Sequence, residues 1–151
     1  MKKKTYTLTK QEKSSLEYNG IKFRSPLEII CYKILEQSGL KFKYEPVTFE
    51  FQEKFIYLAE IWDRNGNGNF KAIRTNIIQP ITHTPDFIVE NDFIIEVKGF
   101  PTPDFLLKKK MLLCQLHKTK PKHYFMVHKI IEIFVSLERI KELINQNPKL
   151  V

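Results

Sequence analysis

The chain has 151 residues, 42% of them apolar and 28% charged, which suits one domain with a hydrophobic core and is too apolar for intrinsic disorder. Basic residues number 25 against 17 acids, a net charge of +8 that favours a polyanionic partner, most often nucleic acid. No run reaches the roughly 20 apolar residues that span a bilayer, the lysine-rich start lacks the apolar stretch of a signal peptide, and Cys31 and Cys114 lack metal spacing and read as buried thiols of a reducing compartment, so the expected location is the cytoplasm.

Residues 1–20 are polar and lysine-rich and read as a basic N-terminal arm or a loosely held helix, with Lys2, Lys3, Lys4, Lys10 and Lys13 serving DNA contact and solubility equally well. Residues 21–151 are expected to form a single domain. In "RSPLEIICYKILEQSGL", Ser25 can cap a helix, Pro26 suits its first turn and Gly39 can end it. "KFKYEPVTFEF" alternates like a strand, and "KFIYLAEIW" and "NFKAIRTNII" read as two more around "DRNGNGN", giving an extra β-hairpin over residues 55–78. "TPDFIVE" and "DFIIEVKG" form a further hairpin through Asn91-Asp92. "TPDFLLKKKMLLCQLHK" opens as a helix, with Thr102 as cap, Pro103 in the first turn and Asp104 at the positive end of the dipole. "KHYFMVHK" is a strand, and "SLERIKELINQN" a last helix capped by Ser136. This order gives a mixed central sheet flanked by helices, an α/β fold.

The chemistry concentrates in "TPDFIVENDFIIEVKG". Side chains alternate across a strand, so Glu96 and Lys98 share a face while Ile95 and Val97 point into the opposite apolar layer. Hairpin pairing brings Asp86 within reach of Glu96. Two close carboxylates repel each other, and sharing a divalent cation removes that cost; hard oxygen ligands suit Mg²⁺, with Mn²⁺ as a substitute. Metal, water and an adjacent lysine suit phosphodiester hydrolysis. Acids and lysines also line the wet face of many sheets, but this strand is otherwise strongly apolar and should be central. Gly99, directly after Lys98, lets a ligand come close.

Pro85-Asp86, a nine-residue spacer, then Glu96-Val97-Lys98 resembles the PD-(D/E)XK nuclease superfamily. The resemblance implies a restriction-endonuclease-like fold and a metal-dependent phosphodiesterase, with Asp86 and Glu96 as metal ligands, the Val97 carbonyl as a further one, and Lys98 beside the attacking water. It also implies an acid on an early helix, for which Glu28 is the candidate. Spacing alone leaves Glu28 open between a site facing the sheet and a capping box with Ser25; the resemblance favours the site. The wider order "RSPLE", "GLKFKYEP", "HTPDF", "EVKG" and a basic helix, over residues 23–128, is similar to Holliday-junction resolvases of the bacteriophage endonuclease I type and to small phage and prophage nucleases. That implies DNA as substrate, branched DNA included, and allows a homodimer in which one early helix completes the other's site. Nicking, transposition-linked and restriction nucleases share the chemistry, and a non-catalytic DNA-binding or virion-associated structural protein could keep the fold. The inserted hairpin departs from the resembled pattern.

Lys108 and Lys109, with Gln115 one heptad after Lys108, are expected to contact DNA phosphates, and His83 to touch phosphate or hold its loop. "DRNGNGN" matches the start of a calcium loop, but its twelfth position is Arg74 in place of a bidentate Glu, so a hairpin tip is expected instead. His117, His123 and His128 lack ligand spacing. No glycine-rich phosphate loop and no serine nucleophile elbow is present, and Trp62, Tyr57 and Phe55 are expected to pack the extra hairpin.

Overall fold

The computed structural model describes residues 6–73 and 76–150. In chain order its elements are α1 (Lys10–Ser15), β1 (Glu17–Tyr18), β2 (Ile21–Lys22), α2 (Pro26–Ser38), β3 (Phe42–Tyr44), β4 (Phe49–Gln52), β5 (Phe55–Ile56), β6 (Trp62–Arg64), β7 (Phe70–Ala72), β8 (Ile77–Ile78), β9 (Ile81–His83), β10 (Phe87–Val89), β11 (Phe93–Val97), α3 (Pro103–Lys118), β12 (His123–Val127) and α4 (Ile130–Gln146), followed by a 3-10 turn at Pro148–Leu150. The fold is α/β: a mixed sheet flanked by helices, with hairpins added to it.

The central sheet has the order β12-β11-β10-β3. β10 pairs antiparallel with β11 and with β3, whereas β11 pairs parallel with β12. A parallel neighbour needs a crossover, and α3 supplies it. β11 therefore has a partner on each side, and every one of its five residues is buried, which explains its nearly continuous apolar run. The β10–β11 turn is tight because Glu90 and Asn91 both take positive φ, 46° and 62°.

Strand alternation sorts the core into two layers. Ile95 and Val97 face the side packed by Cys31, Ile34 and Leu35 of α2 and Ile133, Leu137 and Ile140 of α4. Ile94 faces Leu112 and Leu116 of α3, with Phe49 and Phe51 at the edge. α2 has the boundaries its residues dictate: the Ser25 hydroxyl accepts the Glu28 N–H at 3.3 Å, Pro26 opens the first turn, and Gly39 closes it at φ 77°.

Several expectations are corrected. α4 begins at Ile130, and Ser136 lies mid-helix with its hydroxyl donating to the Glu132 carbonyl at 2.7 Å. The β-branched run Ile130-Ile131 hides the helix start, which is held by the Glu132 carboxylate accepting the N–H groups of His128 and Lys129. "KFKYEPVTFEF" is two strands, not one, because Glu45 sits in the left-handed region at φ 44° just before Pro46. The extra hairpin is longer than residues 55–78: β4–β9, β5–β8 and β6–β7 pair antiparallel in nested order, so these six strands form one ribbon. Its tip turns on Asn65, whose side-chain oxygen accepts the N–H groups of Asn67 and Asn69. Lys2, Lys3, Lys4 and Arg74 lie outside the described residues. The rest of the expected basic arm is folded: Thr9 and Glu12 make a capping box, Leu8 is buried with Phe23 and Ile29, and Lys33 meets Glu12 at 2.6 Å. Among the described residues no helix is long and apolar enough to cross a membrane.

Cys114 is exposed on α3, against expectation, while Cys31 is fully buried. Burial above all, and then the charges of Asp86 and Glu28, push the Cys31 thiol up. A disulfide-exchange reagent is therefore expected to modify one thiol of the native protein rapidly and the second only on unfolding; two fast thiols would place Cys31 at the surface.

Candidate functional site

A cavity of about 530 Å³ opens where the start of α2, the residues before β10, the end of β11, the base of the ribbon and the start of α3 meet. Glu28, Asp86, Glu96 and Lys98 all line it, as do His83 and Lys108. The antiparallel register pairs Phe87 with Ile95, and continuing it by one position sets Asp86 opposite Glu96. Alternation turns Glu96 and Lys98 to the same face. α2 adds Glu28 from its first turn. These three carboxylates are 4%, 8% and 2% exposed for Glu28, Asp86 and Glu96, so each has traded water for protein partners.

Those partners are specific. Asp86 accepts the Val97 N–H at 2.7 Å, which ties the end of β11 to the PD dipeptide. Glu96 lies 2.5 Å from the His83 imidazole, delivered by the base of the ribbon, and Phe105 packs edge-on against that ring. Glu28 accepts the Tyr44 hydroxyl at 2.8 Å, the Ser25 hydroxyl at 2.9 Å and the Arg24 N–H at 3.1 Å. The two readings left open for Glu28 therefore coincide in part: it lines the cavity, and it also reaches back to backbone, though at Arg24 and not at the cap residue.

The field of this trio acts on its neighbours. Burial first, and then the charge of Glu96, push the Asp86 carboxyl up to about 8; Glu28 adds to this, while the Val97 N–H and the Arg24 charge oppose it. Tyr44 is pushed up by burial and by its bond to Glu28, and Tyr124 by burial and by the charges of Glu96 and Asp86. Negative potential is thus concentrated in one buried volume of hard oxygen donors, and a divalent cation fits that chemistry. Among the described residues no three acidic, imidazole or thiol groups stand, as they are, in metal-holding geometry; each carboxylate is turned to the protein partner named above.

Lys98 is held at its backbone and extended at its tip. Its N–H donates to the Val127 carbonyl at 2.9 Å, its carbonyl meets the His128 ring nitrogen at 2.5 Å, and its amine stands 4.7 Å above the Phe105 ring. Tyr44, Arg24 and His128 were not recognisable as site residues from spacing. Tyr44 sits in the quoted stretch "KFKYEP", and only the pairing of β3 with β10 reveals its use. Of the expected DNA contacts, Lys108 reaches the cavity and pairs with Asp104 at 3.4 Å. Lys109 lies over the Tyr124 ring at 5.2 Å instead, and Gln115 lines a separate cavity with Phe51 and Met111. α3 is pressed against the sheet and ribbon there, so one heptad carries Gln115 away from the site.

A family model described as "Protein of unknown function (DUF1064)" matches residues 8–132. The chain belongs to this family. The matched span takes in the DUF1064 chain's whole central sheet, the ribbon, α3 and all four candidate residues, and it stops at Glu132, the residue that caps α4. No curated protein and no solved structure matches the chain.

Proposed function

We propose that this DUF1064 chain is a metal-dependent DNA endonuclease of the PD-(D/E)XK kind. The observation that carries the reading is the convergence of Glu28, Asp86, Glu96 and Lys98, from separate stretches of the chain, on one cavity. Asp86 and Glu96, with the Val97 carbonyl and Glu28, would hold Mg²⁺ or Mn²⁺. A cation there supplies Lewis acidity toward the phosphate and a more acidic water. The chain's own residues do the rest. Lys98 positions the nucleophilic water and offsets charge that grows on the phosphate. Tyr44 and Ser25 fix Glu28, His83 fixes Glu96, and Val127 and His128 fix the backbone of Lys98. Lys108 at the cavity mouth and the net charge of +8 favour a DNA backbone. Likeness in motif order to phage resolvases points to structure-selective cutting, branched DNA included, and to a homodimer. The two free cysteines fit a reducing cytoplasm.

A second reading has its own support. The internal hydrogen bonds of Glu28, Asp86 and Glu96 satisfy each carboxylate without a cation, as a non-catalytic DNA-binding or virion-associated protein would allow. Linear, supercoiled and four-way-junction DNA, each with Mg²⁺ and then with EDTA, separate the two. Mg²⁺-dependent nicks or resolved junctions are expected; intact DNA in every tube, with binding retained, would leave the second reading.

A further inference from the structure

The loop that joins the catalytic strand to α3 carries an aromatic side chain the proposed chemistry does not use. Phe100 is 83% exposed, two residues after Lys98, and it lines the same cavity. A lone exposed apolar residue needs no explanation, but this one lines the candidate cavity from a short segment anchored at both ends. On one side the Lys98 backbone is bonded to Val127 and His128. On the other, the Thr102 hydroxyl accepts the Phe105 N–H at 3.2 Å and Phe105 is buried. Between these anchors lie only Gly99, Phe100 and Pro101, and proline removes a rotatable φ.

An exposed ring that lines a phosphate-cleaving cavity is a stacking surface. Nucleobases expose a π-face only when they leave the helical stack, and such faces pair with aromatic side chains whatever the sequence. A paired duplex offers the cavity its phosphates but no free face. The aliphatic part of a protein partner would gain nothing from a lysine two residues away, whereas a nucleotide uses both groups at once: phosphate at Lys98, base at Phe100.

We propose that Phe100 is a specificity-determining platform that stacks an unpaired or unstacked base beside the scissile phosphate, so that the preferred DNA is locally unpaired. This rests on the endonuclease reading above and adds the substrate feature it selects. The test uses the full chain in EDTA, where nothing is cut, with two probes of equal length: a fully paired duplex, and the same duplex with one bulged 2-aminopurine. Wild type is expected to bind the bulged probe more tightly and to quench its fluorescence. Phe100→Ala is expected to lose roughly five- to hundredfold of that preference, together with the quenching. Phe100→Trp is expected to restore both; Phe100→Leu, apolar but not aromatic, is not. Equal loss on both probes, unchanged quenching in Phe100→Ala, full rescue by Phe100→Leu, or no binding at all overturns the proposal. With Mg²⁺, indiscriminate cutting by wild type and Phe100→Ala alike would sink the platform and leave the nuclease. Phe100-dependent preference in a protein that cuts nothing would leave the platform and sink the nuclease.

Discussion

Lys98→Ala is expected to lower phosphodiester cleavage by about 10²–10³-fold, the usual cost of losing one donor aimed at developing charge. DNA affinity is expected to persist, because one amine is a small part of a surface with a net charge of +8; the log–log salt slope should become shallower by about one. The variant should fold, since the side chain makes one ring contact, over Phe105, while the Lys98 backbone keeps its bonds to Val127 and His128. Cleavage by gel and binding by anisotropy check both halves. Parallel collapse of cutting and binding would make Lys98 a binding residue.

Asp86→Asn is expected to make the metal-free protein more stable while ending its response to divalent cations. The sign follows from where the carboxyl titrates. Its ordinary value is 3.8, and burial with the charges of Glu96 and Glu28 pushes it up to about 8 in the folded chain. The folded state therefore holds a proton the unfolded state has released. The penalty is absent below about pH 4, grows as pH rises toward 8, and is constant above that. Asparagine removes the charge and keeps an oxygen for the Val97 N–H. The gain at pH 7 is up to about 4 kcal/mol, or roughly 10 °C in Tm, shrinking toward zero near pH 4. Mg²⁺ or Mn²⁺ at about a hundred times its Kd should stabilise wild type by about 2.7 kcal/mol and the variant much less. Calorimetry in EDTA and in metal reads all of this. A variant less stable than wild type at pH 7, or equally raised by metal, would remove Asp86 from the cation site.

Local chemistry made much of this legible in the sequence. Ser25, Pro26 and Gly39 mark α2 because each acts within its own turn, and the alternation in "FIIEVKG" announces which residues share a face because a strand's period is two. The convergence of Asp86 with Glu96 follows from a short hairpin, which needs only its turn. Longer connections hid the rest. Tyr44 meets Glu28 only because β3 joins the far side of β10, and His83 meets Glu96 only because the ribbon returns to its base after more than thirty residues. The start of α4 was obscured by isoleucines that suit a strand equally well, and the separate cavity that Gln115 lines was hidden because a helical wheel gives the face of a helix but not what lies against it.

The parallel pairing of β11 with β12 has a consequence for how the protein comes into being. A nascent chain that has left the ribosome as far as Gly99 already contains Glu28, Asp86, Glu96 and Lys98. It still lacks Val127 and His128, which fasten the lysine's main chain from across α3. Contacts so far apart in sequence form late and slowly. A product ending between Gly99 and His123 carries all four residues yet leaves β11 with a bare edge, so under the proposed nuclease reading it would cut nothing until β12 is in place.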